Sequence, residues 1–314
     1  MGSPGDSMNS DKGHINHIDV DEGHTHKDEG HIHNEYSDMH PDIHINVDVD
    51  SLWVDMSYYI FYRYYATFNW LKKFQKLEIQ ACDIMENELF MEKYPKLFER
   101  TLCDLVKSSK VKWENVFIVK DSIRDTIWRN DHFNNYKGSR DDKLDSFNKD
   151  IFKYTYNTLI PQLQACYKFN ILNHNRLEAD DVIALSKNYI RSMNNHVLIT
   201  IVTNDNDYIQ LLDDHTIVKN LQGKELRSRI EVSPAMYLKI KILNGDKSDN
   251  IPSIMKKVGP KTAEKLAENE DNFVKFCEKN PDAYKQYKLN KLLIDFNEIP
   301  CDLKNAFLKR IVST

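Results

Sequence analysis

Three short apolar runs organise the chain, and an aspartate follows each. Leu52-Trp53-Val54 precedes Asp55, Val116-Phe117-Ile118-Val119 leads to Asp121, and the stretch 197–202, apolar except for Thr200, leads to Asp205. Short runs rich in β-branched and aromatic residues, bounded by polar positions, read as buried strands. Between them the period changes to that of helices. Residues 58–71 form an aromatic helical stretch, 72–113 a charged one, and 178–191 an amphipathic one. The segment 124–156 is polar, basic and aromatic, with no strand pattern, and from Pro234 onward the pattern is helical with short loops. Strands alternating with helices predict an α/β fold, a mostly parallel sheet with helices on both faces. Structure is expected to begin near Val47. The chain divides into residues 1–44, 45–233 and 234–314.

Composition changes this picture at the N-terminus. Met1 to Ser7 reads as an expression scar. Residues 8–44 hold eight of the 12 histidines and a short repeat, Gly23-His24-Thr25-His26 and Gly30-His31-Ile32-His33. Weak metal binding is one reading; a solvated tail of biased composition, unable to build a core, is favoured over it. The net charge of −5 hides an asymmetry. Residues 1–50 carry 12 acidic residues and 2 lysines, which leaves 41 basic against 36 acidic residues in 51–314. With nine of those acids assigned to one site, the rest of that portion is about +14. Such a surface suits a polyanion. The five cysteines, Cys82, Cys103, Cys166, Cys277 and Cys301, have no CxxC spacing and read as reduced thiols in a reducing compartment. No apolar run reaches the length needed to span a membrane.

The candidate chemistry lies in the acids. In open parallel sheets, sites form in the crevice at the carboxyl ends of strands. Asp55, Asp121 and Asp205 should therefore converge, although a single acid after a strand is commonly a turn residue. Asp205 and Asp207, two apart, would point the same way on extended backbone. Glu178, Asp180 and Asp181 open the amphipathic helix, where one or two acids would simply complement the dipole. Gly245-Asp246-Lys247-Ser248-Asp249-Asn250-Ile251-Pro252 supplies two more. Nine carboxylates in one pocket repel unless cations neutralise them, and oxygen-only sites favour Mg²⁺ or Mn²⁺ over zinc. Two such ions suit phosphodiester hydrolysis.

These segments, with Val54-Asp55-Met56-Ser57-Tyr58-Tyr59, Tyr136-Lys137-Gly138-Ser139-Arg140 and Thr203-Asn204-Asp205-Asn206-Asp207-Tyr208, resemble the 5′-nuclease (flap endonuclease) superfamily. The resemblance is to its bacterial and phage branch, including the 5′–3′ exonuclease domain of bacterial DNA polymerase I, over about residues 51–310. It implies a PIN-like 5′-nuclease core at 45–233 with a helical arch near 129–160, and a helix–hairpin–helix DNA-binding region at 234–314. It implies that Asp55, Asp121, Glu178 and Asp180 hold a first metal ion, and Asp181, Asp205, Asp207, Asp246 and Asp249 a second. Lys137 and Arg140 would steer the scissile phosphate, Tyr136 would stack on the terminal base and Arg129 would touch a phosphate. The hairpin with Lys256, Lys257, Gly259, Lys261, Thr262 and Lys265 would grip duplex phosphates through side chains and helix-start N–H groups, with a K⁺ ion on its carbonyls. Met56 and Asn204 stand where the family usually has glycine.

The implied activity is Mg²⁺- or Mn²⁺-dependent 5′–3′ exonuclease or flap endonuclease action on DNA flaps, nicks, gaps or duplex ends, by a monomer, in primer removal and repair. Any polymerase partner would be a separate protein. A catalytically silent DNA-structure-binding protein and an RNA-directed nuclease are the alternatives. The Asn-, Lys- and Ile-heavy composition suggests an AT-rich genome and an organelle such as a relict plastid as the location, not secretion.

Overall fold

The three expected strands form and two more join them. In the computed structural model, which describes residues 43–75, 83–138, 147–256 and 258–312, β1 (Ser51–Asp55) lies at the centre of a five-stranded sheet. Its neighbours are β2 (Val116–Val119) and β4 (Ile199–Val202); β3 (Asn170–Leu172) and β5 (Thr216–Lys219) form the edges, in the order β3-β2-β1-β4-β5. Every pairing is parallel. Asp55 stands opposite Val119, and Val54 opposite Val202. The register thus brings Asp55, Asp121 and the turn carrying Asp205 out at one edge of the sheet. Most of the N-terminal tail, residues 1–42, lies outside the described residues.

Alternation along the strands sorts the core onto two faces. Trp53, Phe117, Val119, Ile199 and Ile201 point to one face, Leu52, Val54, Val116, Ile118 and Val202 to the other. The second face is covered by α1 (Met56–Gln75) and α2 (Glu88–Ser109). α2 is capped by Asn87, whose side chain accepts from the Phe90 amide, and its Phe90, Tyr94, Phe98, Leu102 and Leu105 form one buried stripe. Tyr59 of α1 meets Phe98 edge-on at 4.6 Å. α3 (Asp150–Tyr154), a π turn (Thr155–Leu159) and α4 (Ile160–Tyr167) complete that layer, beginning at the end of the segment that showed no strand pattern. The charged stretch 72–113 thus becomes chiefly α2, preceded by a 3-10 turn at Ile84–Glu86.

The opposite face is covered by α5 (Ala179–Met193), whose apolar positions follow helical spacing. The C-terminal third contains α6 (Pro234–Asn244), α7 (Pro260–Glu268), α8 (Glu270–Lys279), α9 (Pro281–Ile294) and α10 (Cys301–Ile311). α10 returns to the sheet: Leu303, Phe307 and Ile311 join the α5 face, and Arg310 donates to the Asn173 carbonyl at 2.9 Å. Truncating the fully buried Phe307 to Ala would cost about 3–5 kcal/mol. A separate apolar cluster of Ile127, Tyr136, Ile242, Ile251, Leu293 and Ile294 joins the loop after β2 to α6 and α9. No helix among the described residues is long and apolar enough to cross a membrane.

Candidate active site

The edge where β1, β2 and β4 end carries an acidic cleft of about 320 Å³ lined by Asp55, Asp121, Glu178, Asp180 and Asp205, with Ser57, Tyr58, Asn204, Tyr208 and Lys137 around them. Asp55, at the last residue of β1, accepts from the Tyr58 amide at 3.1 Å, from the Thr203 hydroxyl at 3.0 Å and from the Tyr208 hydroxyl at 3.3 Å. Burial, and then the charge of Asp121, still push its carboxyl up to about 7. Asp121 accepts from the Ser57 hydroxyl and, at 2.8 Å, from the Ala179 amide in the first turn of α5. A carboxylate there is favoured by the unpaired N–H groups of a helix start. Asp205 follows β4 and caps a 3-10 turn (Asn206–Leu211) by accepting from the Asp207 amide at 3.0 Å.

Glu178 is the N-cap of α5, and its extended backbone forms a reciprocal capping box with Asp181. Burial raises the Glu178 carboxyl, but the charges of Lys137 and Arg129 outweigh it and hold the group down at about 2. At Asp180 the balance falls the other way: burial and the charges of Asp181 and Glu178 push it well above the usual carboxylate range, and Arg129 and Lys137 offset only part of this. Two acids at one helix start, Glu178 and Asp180, therefore sit in opposite electrostatic states.

Several expectations change at this point. Glu178, Asp180 and Asp181 have oxygens within 4.8 Å of one another, yet Asp181 is fully buried and both its oxygens are engaged. Arg129 donates to them at 2.7 and 2.8 Å, and the Trp128 indole at 3.0 Å. In this arrangement Asp181 is the buried partner of Arg129. Arg129, expected at a phosphate, is 1% exposed and cannot reach one from that position. Tyr136, expected to stack on a base, is buried as well, and its hydroxyl donates to Glu178 at 2.9 Å. Lys137 does reach the cleft. It adopts φ +56°, held by its amide donating to the Asp249 carbonyl at 3.1 Å, and its ammonium pairs with Glu178. That left-handed conformation costs a lysine energy, and such strain is common where a side chain must be aimed. Arg140 lies outside the described residues.

The nine acids do not share one pocket. A second cleft of about 390 Å³ lies beside the first and is lined by Asp205, Asp207, Asp246 and Lys241, with Tyr237 and Gly245. Asp207 is in a 3-10 turn, not on extended backbone, so it faces this cleft while Asp205 borders both. Lys241 of α6 pairs with Asp207 and, at 2.8 Å, with Asp246. Burial opposes it, but Lys241 holds the Asp246 carboxyl at about 2. Asp249 is buried and turns toward Tyr136 and Lys137, with oxygens still within 4.8 Å of those of Asp207 and Asp246. Gly245 makes the turn possible. At φ +74° a Cβ there would lie 2.4 Å from the Pro252 backbone.

The hairpin after this loop opens into α7, with Gly259 as its N-cap and Pro260 in its first turn. Lys256, Lys261, Thr262 and Lys265 are all exposed, and nothing lies within 4 Å of a Cβ placed on Gly259, so backbone there is open to a ligand. Lys257 lies outside the described residues.

Residues 50–237, more than half of the chain, match the family described as 5′–3′ exonuclease, N-terminal resolvase-like domain. The chain belongs to that family. It is similar to the DNA polymerase I of Lactococcus lactis, 27% identical over 276 residues, which is 84% of this chain and 28% of that polymerase. It is also similar to the 5′–3′ exonuclease of Buchnera aphidicola, 29% identical over 162 residues, 48% of this chain and 51% of that protein. The chain therefore spans little more than a quarter of the polymerase it matches. Among solved structures, the flap endonuclease of bacteriophage T5, in a pseudo-enzyme–product complex with DNA and metal ions, shares the fold. Its TM-score is 0.57 at 16% identity, covering 83% of this chain and 97% of that one.

Sequence reasoning overlooked Ser57, Thr203 and Tyr208, which hold Asp121 and Asp55 by hydrogen bonds, and Lys241, which divides the acids into two groups. Tyr208 had a usable signal, since it follows Asp207 in a motif already singled out. Lys241 had none, because its partners lie at Asp207 and Asp246 on different segments.

Proposed function

We propose that this chain is a divalent-metal-dependent 5′ nuclease that hydrolyses DNA phosphodiester bonds at or near 5′ ends. The observation that carries the reading is the convergence of Asp55, Asp121, Glu178, Asp180 and Asp205 from three strand ends and one helix start on a single cleft. The donor set fits hard divalent cations. It consists of carboxylate oxygens, and Asp55 and Asp180 are held above their ordinary pKa by burial and then by neighbouring acids, a penalty that a cation would relieve. Asp55, Asp121, Glu178 and Asp180 would hold one Mg²⁺ or Mn²⁺, and Asp205, Asp207, Asp246 and Asp249 a second. When bound, such ions supply Lewis-acid charge to the reacting phosphate and lower the pKa of water.

The remaining work falls to the chain. Ser57, Thr203 and Tyr208 fix the carboxylate directions before any substrate arrives. Lys137, at the cleft wall, offers its ammonium to the scissile phosphate in exchange for Glu178. Lys256, Lys261 and Lys265, with backbone at the start of α7, would grip duplex phosphates without reading sequence. Arg140 would join Lys137 in steering the 5′ end. The T5 relative, solved with DNA and metal ions, supports DNA as the substrate class. Substrates would be flaps, nicks, gaps and duplex ends, in a DNA-containing compartment.

The test is a 5′-labelled panel of flap, nicked and blunt duplexes with and without Mg²⁺, run beside Asp205→Asn. Cleavage by the parent and none by the variant is expected, with 5′-phosphate products. Equal cleavage by Asp205→Asn would remove the site assignment. Binding without cleavage of any substrate would identify a DNA-structure-binding protein instead.

A further inference from the structure

One buried and fully engaged charge is left without a task by the nuclease reading. The Arg129 guanidinium is buried and makes four hydrogen bonds: Nε to the Leu293 carbonyl in α9 at 2.8 Å, one terminal nitrogen to Glu178 at 3.0 Å and to Asp181 at 2.8 Å, and the other to Asp181 at 2.7 Å. It lies 4.6 Å from the Trp128 ring centroid, and the Trp128 indole donates to the same Asp181 carboxylate. The Glu178 amide donates to that carboxylate too, at 3.2 Å. Asp181 is thereby saturated. Glu178 receives Arg129 and Tyr136 on one oxygen, which leaves the other turned toward Lys137 at the cleft.

We propose that Arg129 is a positioning residue, which sets the orientation of Glu178 and the first turn of α5 through Asp181 and makes no contact with DNA. The proposal rests on the nuclease reading above. Its physical content is geometric. A planar guanidinium has five N–H donors in a fixed fork, so one side chain clamps two carboxylates at a set angle, which an ammonium cannot do. The bond to Leu293 and the stacking on Trp128 prevent the fork from rotating. Because Asp180 follows Glu178 in that turn, its carboxylate direction is fixed by the same clamp; Asp180 in turn accepts from the Asp181 amide at 2.8 Å. Groups that orient metal-binding carboxylates from behind typically change metal affinity or activity by about 10- to 100-fold when removed.

The experiment uses the full chain and two variants. Arg129→Lys keeps the charge and loses the fork. Arg129→Gln combined with Asp181→Asn removes both charges together, so no buried carboxylate is stranded. Mn²⁺ binding is followed by calorimetry on the protein alone, and affinity for a 5′-flap duplex by anisotropy in Ca²⁺ across a salt series. Both variants should bind Mn²⁺ about 10- to 100-fold more weakly, while flap affinity stays within about twofold and its salt slope is unchanged. Unchanged Mn²⁺ binding with weakened flap affinity and a salt slope smaller by about one would make Arg129 a phosphate contact and overturn the proposal. Unchanged values in both assays would reduce it to an inert ion pair, which also overturns it. If the parent protein itself neither takes up Mn²⁺ nor cuts the flap, the nuclease reading fails, a result distinguishable from either outcome for Arg129.

Discussion

The cleft at the strand ends and the cleft beside Gly245 lie on either side of Asp205, and they manage their carboxylates in opposite ways. The first is built on the ends of three central parallel strands and the start of α5. Its acids are crowded: Asp55 is pushed up to about 7 and Asp180 well above its usual range. The second is built on a turn that only glycine fits well, and an internal ammonium, Lys241, already neutralises Asp207 and Asp246. In the first cleft Lys137 is taken up by Glu178 and leaves Asp55 and Asp180 with a penalty that a metal ion relieves, whereas in the second Lys241 already serves both Asp207 and Asp246. A metal ion should gain more from entering the first.

The largest effect should come from breaking the first cleft. Asp55→Asn is expected to reduce single-turnover cleavage by at least about 10²-fold, beyond the usual effect of removing a group behind a ligand. Asp246→Asn should cost less, about 10-fold. Stability should move the other way. Without metal, Asp55→Asn relieves crowding and leaves the melting temperature equal or higher, but Asp246→Asn strips Lys241 of a partner and lowers it. Equal losses of activity and parallel shifts in melting would erase the contrast between the clefts.

Gly245→Ala comes next. The positive φ and the 2.4 Å approach to Pro252 predict a loss of about 1–3 kcal/mol, or roughly 2–4 °C in melting temperature for each kcal/mol. The damage should be confined to the second cleft. In a titration that resolves two Mn²⁺ sites, the weaker should weaken further and the tighter stay unchanged.

The first cleft was more legible in the sequence than the second, for a physical reason. A strand pattern ending in aspartate states both where the acid is and which way the chain runs, so Asp55, Asp121 and Asp205 could be placed together. The two edge strands were harder: β3 has only the three residues Asn170, Ile171 and Leu172, and β5 alternates half-buried and buried positions over four. Asp207 was misdirected because a capping side chain at Asp205 turns extended backbone into a 3-10 turn. Arg129 looked like a surface cation since its partners Glu178, Asp181 and Leu293 are 49 to 164 residues away. Burial and long-range pairing are not local properties, and no pattern of neighbours announces them.

The pH dependence of the metal-free protein would sharpen the comparison further. Between about pH 4 and 7 the unfolded Asp55 carboxyl is ionised while the folded one still holds its proton. The folded state then binds more protons, so this group makes stability fall as pH rises through that window. Glu178 and Asp246, both held at about 2, act oppositely: they stabilise above their ordinary values and lose that contribution as pH falls toward 2. In chelator, melting temperature should drop from pH 5 to 8, Asp55→Asn should flatten the drop, and Mn²⁺ should reverse it. A rise with pH over that interval would mean that Asp55 is not held above its ordinary value in the folded protein.

The smallest effect concerns the element that the clefts share. Asn204 stands in the turn before Asp205, and Arg229 grips it, donating to its carbonyl at 3.1 Å and to its side-chain oxygen, and to Asn206 at 2.7 Å. The arginine ties down a turn that carries an amide side chain. Both partners are exposed, so the energy is that of a solvated interaction, below about 1 kcal/mol. Arg229→Ala should thus leave melting nearly unchanged and slow cleavage by no more than about fivefold, equivalent to that 1 kcal/mol limit. Because Asp205 borders both clefts, the two Mn²⁺ sites should weaken together, unlike the Gly245→Ala result. Asn204→Gly removes the side-chain half of the grip, so Arg229→Ala should cost less in that background. Additive effects in the double-mutant cycle would show that Arg229 acts elsewhere, at a phosphate for instance, and the shared turn would then owe its position to Asp205 capping alone.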